Sequence, residues 1–274
     1  MKRRFLSVLL IVLLVMSFIG CGSKKQNTDS LGKNTMTETP SLEPSQEPTQ
    51  EPTQEPEPTL EPTPSQEVVK PPEYTMSEIE DAGIVDGLTY TNSLIGFSMK
   101  VPESWLVYNA EETYSNSARV NDGTEKDAVI SKDQLNDQGV AYICYGADTQ
   151  LSAASGTPDY LLVQVMSSSL FGGLDMDEIV PIMSKEMQEY FTSIETTCTI
   201  SDPVKMSVGG QDVYQVSIVA DTSETVGETT TAKTINQEYI MFMKNRYLVY
   251  MCLSTALEDS TLLAQQFIDS LSFQ

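Results

Sequence analysis

The 274 residues include no histidine. That excludes Ser-His and Cys-His nucleophile pairs, imidazole-ligated zinc and histidine general acid/base catalysis, and leaves only carboxylate, lysine or bare-serine chemistry. Cys144, Cys198 and Cys252 have neither an imidazole nor a cationic cluster nearby in sequence to stabilise a thiolate, so none reads as a nucleophile. Cys144 and Cys252 lie inside apolar runs and are expected as buried thiols; a single disulfide among the three remains the alternative. The acids of Asp175-Met176-Asp177-Glu178 read as helix caps rather than paired glycosidase carboxylates. Asn121-Asp122-Gly123-Thr124-Glu125-Lys126-Asp127 alternates oxygen donors as a calcium loop does, but it lacks the twelve-residue pattern and reads as a turn. Trp105, the only tryptophan, and the nine methionines from Met99 onward are expected in the core. There is no Gly-x-Ser-x-Gly elbow, no Ser-x-x-Lys dyad and no phosphate loop. The residues therefore indicate no enzyme: no catalytic residue, no cofactor-binding residue and no metal ligand. With 39 acidic against 16 basic side chains, a nucleic-acid partner is excluded as well.

The remaining cysteine has a different context. Lys2-Arg3-Arg4 precede an apolar run from Phe5 to Ile19, which is shorter than the roughly 20 residues a membrane span needs and suits a secretory signal. The run ends in Phe18-Ile19-Gly20-Cys21. Apolar residues, a small one and then cysteine resemble the lipobox of bacterial lipoproteins, with Phe18 where leucine is usual. The resemblance implies cleavage after residue 20 and a lipid on the Cys21 sulfur, holding the chain on the outer face of the cytoplasmic membrane.

Composition divides the rest. Residues 1–20 are the signal and 21–37 the anchor and a flexible start. Residues 38–73 hold ten of the fourteen prolines in a repeated Ser/Thr-x-Glu-Pro unit, such as Thr49-Gln50-Glu51-Pro52 and Thr53-Gln54-Glu55-Pro56. Proline at every fourth position forbids a helix, and so few apolar side chains cannot offset the entropy of ordering a core. An extended linker reaching on the order of 100 Å follows from about 3.1 Å per residue. Residues 74–87 form a transition, and 88–274 a globular domain large enough for its own core. That domain carries 25 acids and 9 bases, net −16.

Within it, period-two alternation predicts strands at Phe97–Val101, Trp105–Tyr108, Val140–Tyr145, Tyr160–Met166, Thr199–Val208, Asp212–Val219, Thr234–Met243 and Tyr247–Leu253. Gly209-Gly210 and Lys244-Asn245-Arg246 are hairpin turns, which makes the sheet antiparallel. Ile179, Ile182, Met183, Met187, Tyr190 and Phe191 predict one amphipathic helix, beginning no earlier than Asp177 because Pro181 belongs near its first turn. Leu262, Leu263, Phe267, Ile268 and Leu271 predict a second, over 258–271. The expected class is α+β: an antiparallel sheet with one helix on each face, or both on one.

Thr89-Tyr90-Thr91-Asn92-Ser93-Leu94-Ile95-Gly96-Phe97-Ser98-Met99-Lys100-Val101-Pro102-Glu103-Ser104-Trp105 resembles the opening of PsbP-like domains, with a glycine-aromatic start to the second strand and then Pro-x-x-Trp. The tail, with Tyr247–Leu253 as last long strand and then a helix ending in Ser270-Leu271-Ser272-Phe273, is similar too. The resemblance spans about 88–274 and implies an α/β/α sandwich and non-enzymatic binding to other macromolecules, with no functional residue to carry over. The expected role is an interaction module on a stalk, bound to the membrane through Cys21 and to a protein of the envelope. The alternative is a binder of a small ligand or cell-wall fragment in a cleft.

Overall fold

Strict alternation along the strands sorts their side chains into two cores. The computed structural model describes residues 73–114, 131–148, 159–194, 196–226, 229–255 and 260–274. In order these form α1 (Met76–Asp81), β1 (Gly83–Asp86), β2 (Thr89–Asn92), β3 (Phe97–Lys100), β4 (Trp105–Tyr108), α2 (Lys132–Asp137), β5 (Val140–Asp148) and β6 (Tyr160–Ser167). A 3-10 turn then leads to α3 (Met176–Ser193), β7 (Thr197–Ile200), β8 (Val204–Val208), β9 (Gln211–Val226), β10 (Thr229–Lys244), β11 (Tyr247–Thr255), α4 (Ser260–Ser270) and β12 (Ser272–Phe273).

The large sheet runs β4-β5-β6-β11-β10-β9-β7, with β8 also on β9, and every pair is antiparallel. Along β10, Tyr239 and Met241 join the core under α3, while Ile240 and Phe242 join the core on the opposite face. That second core is closed by α1, α4 and a smaller sheet, β1-β2-β3-β12. The class is thus α+β, an antiparallel sheet covered on both faces, with one long helix to each. Each fully buried Phe or Leu in these layers stabilises the fold by about 1.5–3 kcal/mol.

Local sequence explains most of the frame. Gly209 and Gly210 (φ +55° and +82°) and Asn245 and Arg246 (φ +46° and +71°) supply the paired left-handed residues of two-residue hairpin turns. Between Tyr142 and Cys144 the register of β5 slips, and both Ile143 and Cys144 face the core under α4. That is the effect of one extra residue in a ladder.

Three expectations change. The single strand over 199–208 is two, because Ser201-Asp202-Pro203 interrupts it and Pro203 has no N–H for the ladder. Helix α3 starts at Met176, capped by Asp175, so Pro181 is its sixth residue. Its buried face uses Val180 while Ile182 and Tyr190 are only partly covered. On α4 Leu262 points outward, 66% exposed, and Ala264 takes the buried position. In addition, residues 74–87 carry α1 and β1, and Met76 and Ile79 belong to the core.

Candidate functional site

Cys21, the Pro-rich repeat and the 121–127 loop lie outside the described residues. The remaining sequence candidates take structural places. Trp105 packs edge-on against Phe267 at 5.5 Å, and Cβ on Gly146 would meet its ring at 3.2 Å. Seven of the nine methionines are buried in the two cores. The three cysteines are free. Cys144 and Cys252 belong to opposite cores, and burial pushes the Cys252 thiol up to about 12 and the Cys144 thiol higher still. A thiol so raised stays protonated and unreactive near neutrality. Cys198, partly covered, accepts from the Gln188 amide at 3.3 Å.

The Asp175-to-Glu178 acids divide two tasks. Asp175 accepts from the Glu178 N–H and Glu178 accepts from the Asp175 N–H, a reciprocal cap. Asp177 instead reaches the sheet: it accepts from the Tyr214 hydroxyl at 2.6 Å and from Lys205 Nζ, which also pairs with Asp212. The Tyr214 hydrogen bond, then Lys205, holds the Asp177 carboxyl below the usual range.

Four carboxylates that the sequence reading did not single out are buried, Glu80, Asp148, Asp159 and Glu238, and two of them tie helices to other elements. Glu80 at the end of α1 accepts from the Tyr114 hydroxyl (2.7 Å), Asn136 Nδ2 (3.1 Å) and Lys132 Nζ (2.9 Å), tying α1 to α2. Glu238 in β10 accepts from Ser217 Oγ (2.6 Å), Gln215 Nε2 (2.9 Å) and Ser260 Oγ (2.7 Å), tying β9 to the start of α4. Glu238 had little signal, since Asn236 and Gln237 precede it and make the start of the run look solvated. Glu80 had none, since Glu78, Glu80 and Asp81 look alike on a short helix. A different polar group, the amide of Gln164, is buried with neither side-chain atom hydrogen-bonded.

These two carboxylates are consumed in holding elements together, and the ends of the large sheet are set by other contacts. At one end, the Tyr247 hydroxyl receives the Tyr74 N–H (2.7 Å) and donates to the Tyr74 carbonyl (2.8 Å). Arg246 adds a 3.5 Å pair with Glu73. The chain therefore joins the fold beside the β10–β11 turn. Strand β10 leads away from that turn for 16 residues, about 50 Å at roughly 3.3 Å each. The far end of the sheet is where β7, β11 and β6 leave the ladder, at Thr197↔Asp221, Asn236↔Thr255 and Tyr160↔Ser254.

No family model matches the chain, and no curated protein does. Among solved structures it is similar to cyanobacterial PsbP (CyanoP) from Synechocystis, with a TM-score of 0.41 and 12% identity over 70% of this chain and 95% of that one. It is similar to LpqN of Mycobacterium tuberculosis, described as involved in cell envelope biogenesis, with a TM-score of 0.32 and 14% identity over 74% and 99%. A Bacteroides thetaiotaomicron protein gives 0.32 and 9% over 69% and 49%. The architecture of this chain stands on its own pairing and cores, and no activity passes to it from these proteins. Among the described residues, no helix is long and apolar enough to cross a membrane, and no group of three or more Cys, Asp or Glu is placed to hold a metal.

Proposed function

We propose that this chain is a lipid-anchored, non-enzymatic interaction module, held outside the cytoplasmic membrane through Cys21 and displayed on its Glu-Pro stalk to bind a protein of the envelope. The observation that carries the reading is the order of parts: a lipobox cysteine, a proline at every fourth position, then one well-packed α+β unit. The polar chemistry of that unit supports it. Glu80, Glu238 and Asp177 are each occupied by hydrogen bonds between elements, and Cys144 and Cys252 are held protonated by burial.

The anchor is tested by labelled palmitate: the wild type incorporates label into the membrane fraction, whereas Cys21→Ser does not. Label retained by Cys21→Ser removes the anchor. The role is tested by crosslinking on intact cells with the anchored protein against a control that keeps Cys21 and the stalk but lacks 74–274. A discrete protein adduct missing from the control is expected. Its absence under several growth conditions moves the reading to a small ligand or wall fragment.

A further inference from the structure

The two cores are built from different side chains. Among the described residues, the core under α3 buries five methionines and four tyrosines, against three and two in the core under α4. Methionine is unbranched and its thioether fills irregular space, so an interior lined by it can repack around a guest where branched side chains resist. Met166 of β6 and Met183 and Met187 of α3 belong to that adaptable layer.

Within the layer sits a polar side chain whose needs are unmet. Gln164, 1% exposed, stands on β6 directly opposite Tyr142 of β5 and Tyr250 of β11, both members of the core under α3. Neither its carbonyl oxygen nor its amide nitrogen is in a well-formed hydrogen bond, and the Tyr142 hydroxyl is the polar group beside it. A primary amide has two N–H donors and an accepting oxygen, more than one phenol hydroxyl can serve. The Tyr250 hydroxyl is turned to the Met187 sulfur, at 4.0 Å. Elsewhere this fold matches what it buries: Glu80 and Glu238 each have three partners. Buried polar groups are partnered as a rule, because the water they give up on folding must be replaced. The missing partner has a definite chemistry. A neutral amide beside a neutral phenol balances no charge, so the partner is uncharged, and it must both donate and accept, as a hydroxyl oxygen does.

We propose that the layer between the large sheet and α3 is a binding site for a small uncharged guest bearing a hydroxyl group, held between the Gln164 amide and the Tyr142 hydroxyl. That chemistry is shared by a single water molecule and by a small alcohol or polyol. The site does not depend on the protein-binding reading above. To test it, the isotope-labelled full chain is unfolded in urea and refolded in buffer free of organic solutes, then studied by NMR with and without added glycerol. The Gln164 side-chain amide is assigned through the backbone of β6 and confirmed by its loss in Gln164→Met. It is expected to show a nuclear Overhauser effect to a bound hydroxylic molecule, absent at the exposed Gln265, where surface water leaves too fast to build one. Tyr142→Phe, which removes the neighbouring hydroxyl and keeps the ring, should weaken the effect.

Glycerol separates the two sources. A water effect that glycerol leaves unchanged assigns the site to water; a saturable shift of the Gln164 amide, with an effect to the carbon-bound protons of glycerol, assigns it to a small alcohol. A Gln164 amide with no effect to either molecule overturns the proposal, as does an effect of equal size at Gln265 or one that Tyr142→Phe leaves untouched.

Discussion

The cost of changing one buried polar residue depends on whether its partners are met. Replacing Glu238 by leucine strands Ser217 Oγ, Ser260 Oγ and Gln215 Nε2, so Glu238→Leu is expected to lower stability by about 3 kcal/mol in urea unfolding. Gln164 is the opposite case, buried with neither amide atom in a well-formed hydrogen bond and only the Tyr142 hydroxyl beside it, so Gln164→Met should cost much less than Glu238→Leu in the same measurement. If both changes destabilise alike, burial alone and not hydrogen-bond satisfaction governs the two sites. The cysteines give a second check. In the folded protein at neutral pH, a thiol reagent should modify Cys198 first and reach Cys144 and Cys252 only on unfolding, because burial keeps the latter two protonated and covered. Labelling of Cys144 at a rate like that of Cys198 would contradict the packing.

Between elements, the contact of α3 with the sheet edge is the one that should respond to pH. Asp177 titrates below its ordinary 3.8 in the folded protein because Tyr214 and Lys205 hydrogen-bond its charged form. A lowered folded value contributes stability that is present above the ordinary value and is lost as pH falls through the folded one. Lys205→Met should therefore have a lower urea midpoint than wild type at about pH 6, and the gap should close below the ordinary aspartate value. A gap that persists unchanged in acid would mean that Lys205 acts through its apolar stem. The cap at the start of α3 is a separate contribution: the Asp175–Glu178 reciprocal bonds explain how the helix starts ahead of Pro181. At its sixth position proline removes one helix bond but leaves the first turn, where N–H groups are free in any case, intact.

At the scale of the molecule, both cores are built from residues from Met76 onward. Excising 38–72 should leave the thermal midpoint within a few degrees of the full chain. Excising 73–82 as well should lower stability by several kcal/mol, since Met76 and Ile79 each contribute about 1.5–3 kcal/mol and Tyr114, Asn136 and Lys132 lose Glu80. Equal midpoints for the two deletions would show α1 to be an appendage. Tyr74 and Glu73 contact Tyr247 and Arg246 beside the β10–β11 turn, at the end of the large sheet opposite the β9–β10 turn.

The sequence by itself determined everything that depends on local periodicity and backbone chemistry. Alternation in Thr234–Met243 and Tyr247–Leu253 marks strands, Gly209-Gly210 and Asn245-Arg246 permit tight hairpins, and the missing histidine removes whole classes of catalysis. Those constraints act within a few residues, so a one-dimensional string carries them. Tertiary structure decided what depends on partners far apart in the chain. Glu80 is distinguished from Glu78 only by Tyr114, Lys132 and Asn136, and Pro203 divides a strand whose halves share β9. Leu262 and Ala264 exchange the roles that helical spacing assigns them because the sheet beneath α4 fixes how that helix is turned. The far end of the large sheet is the clearest instance. The strand pattern of β9 and β10 is legible, but where, among the described residues, the ladders of their neighbours β7 and β11 stop is a property of the assembled sheet.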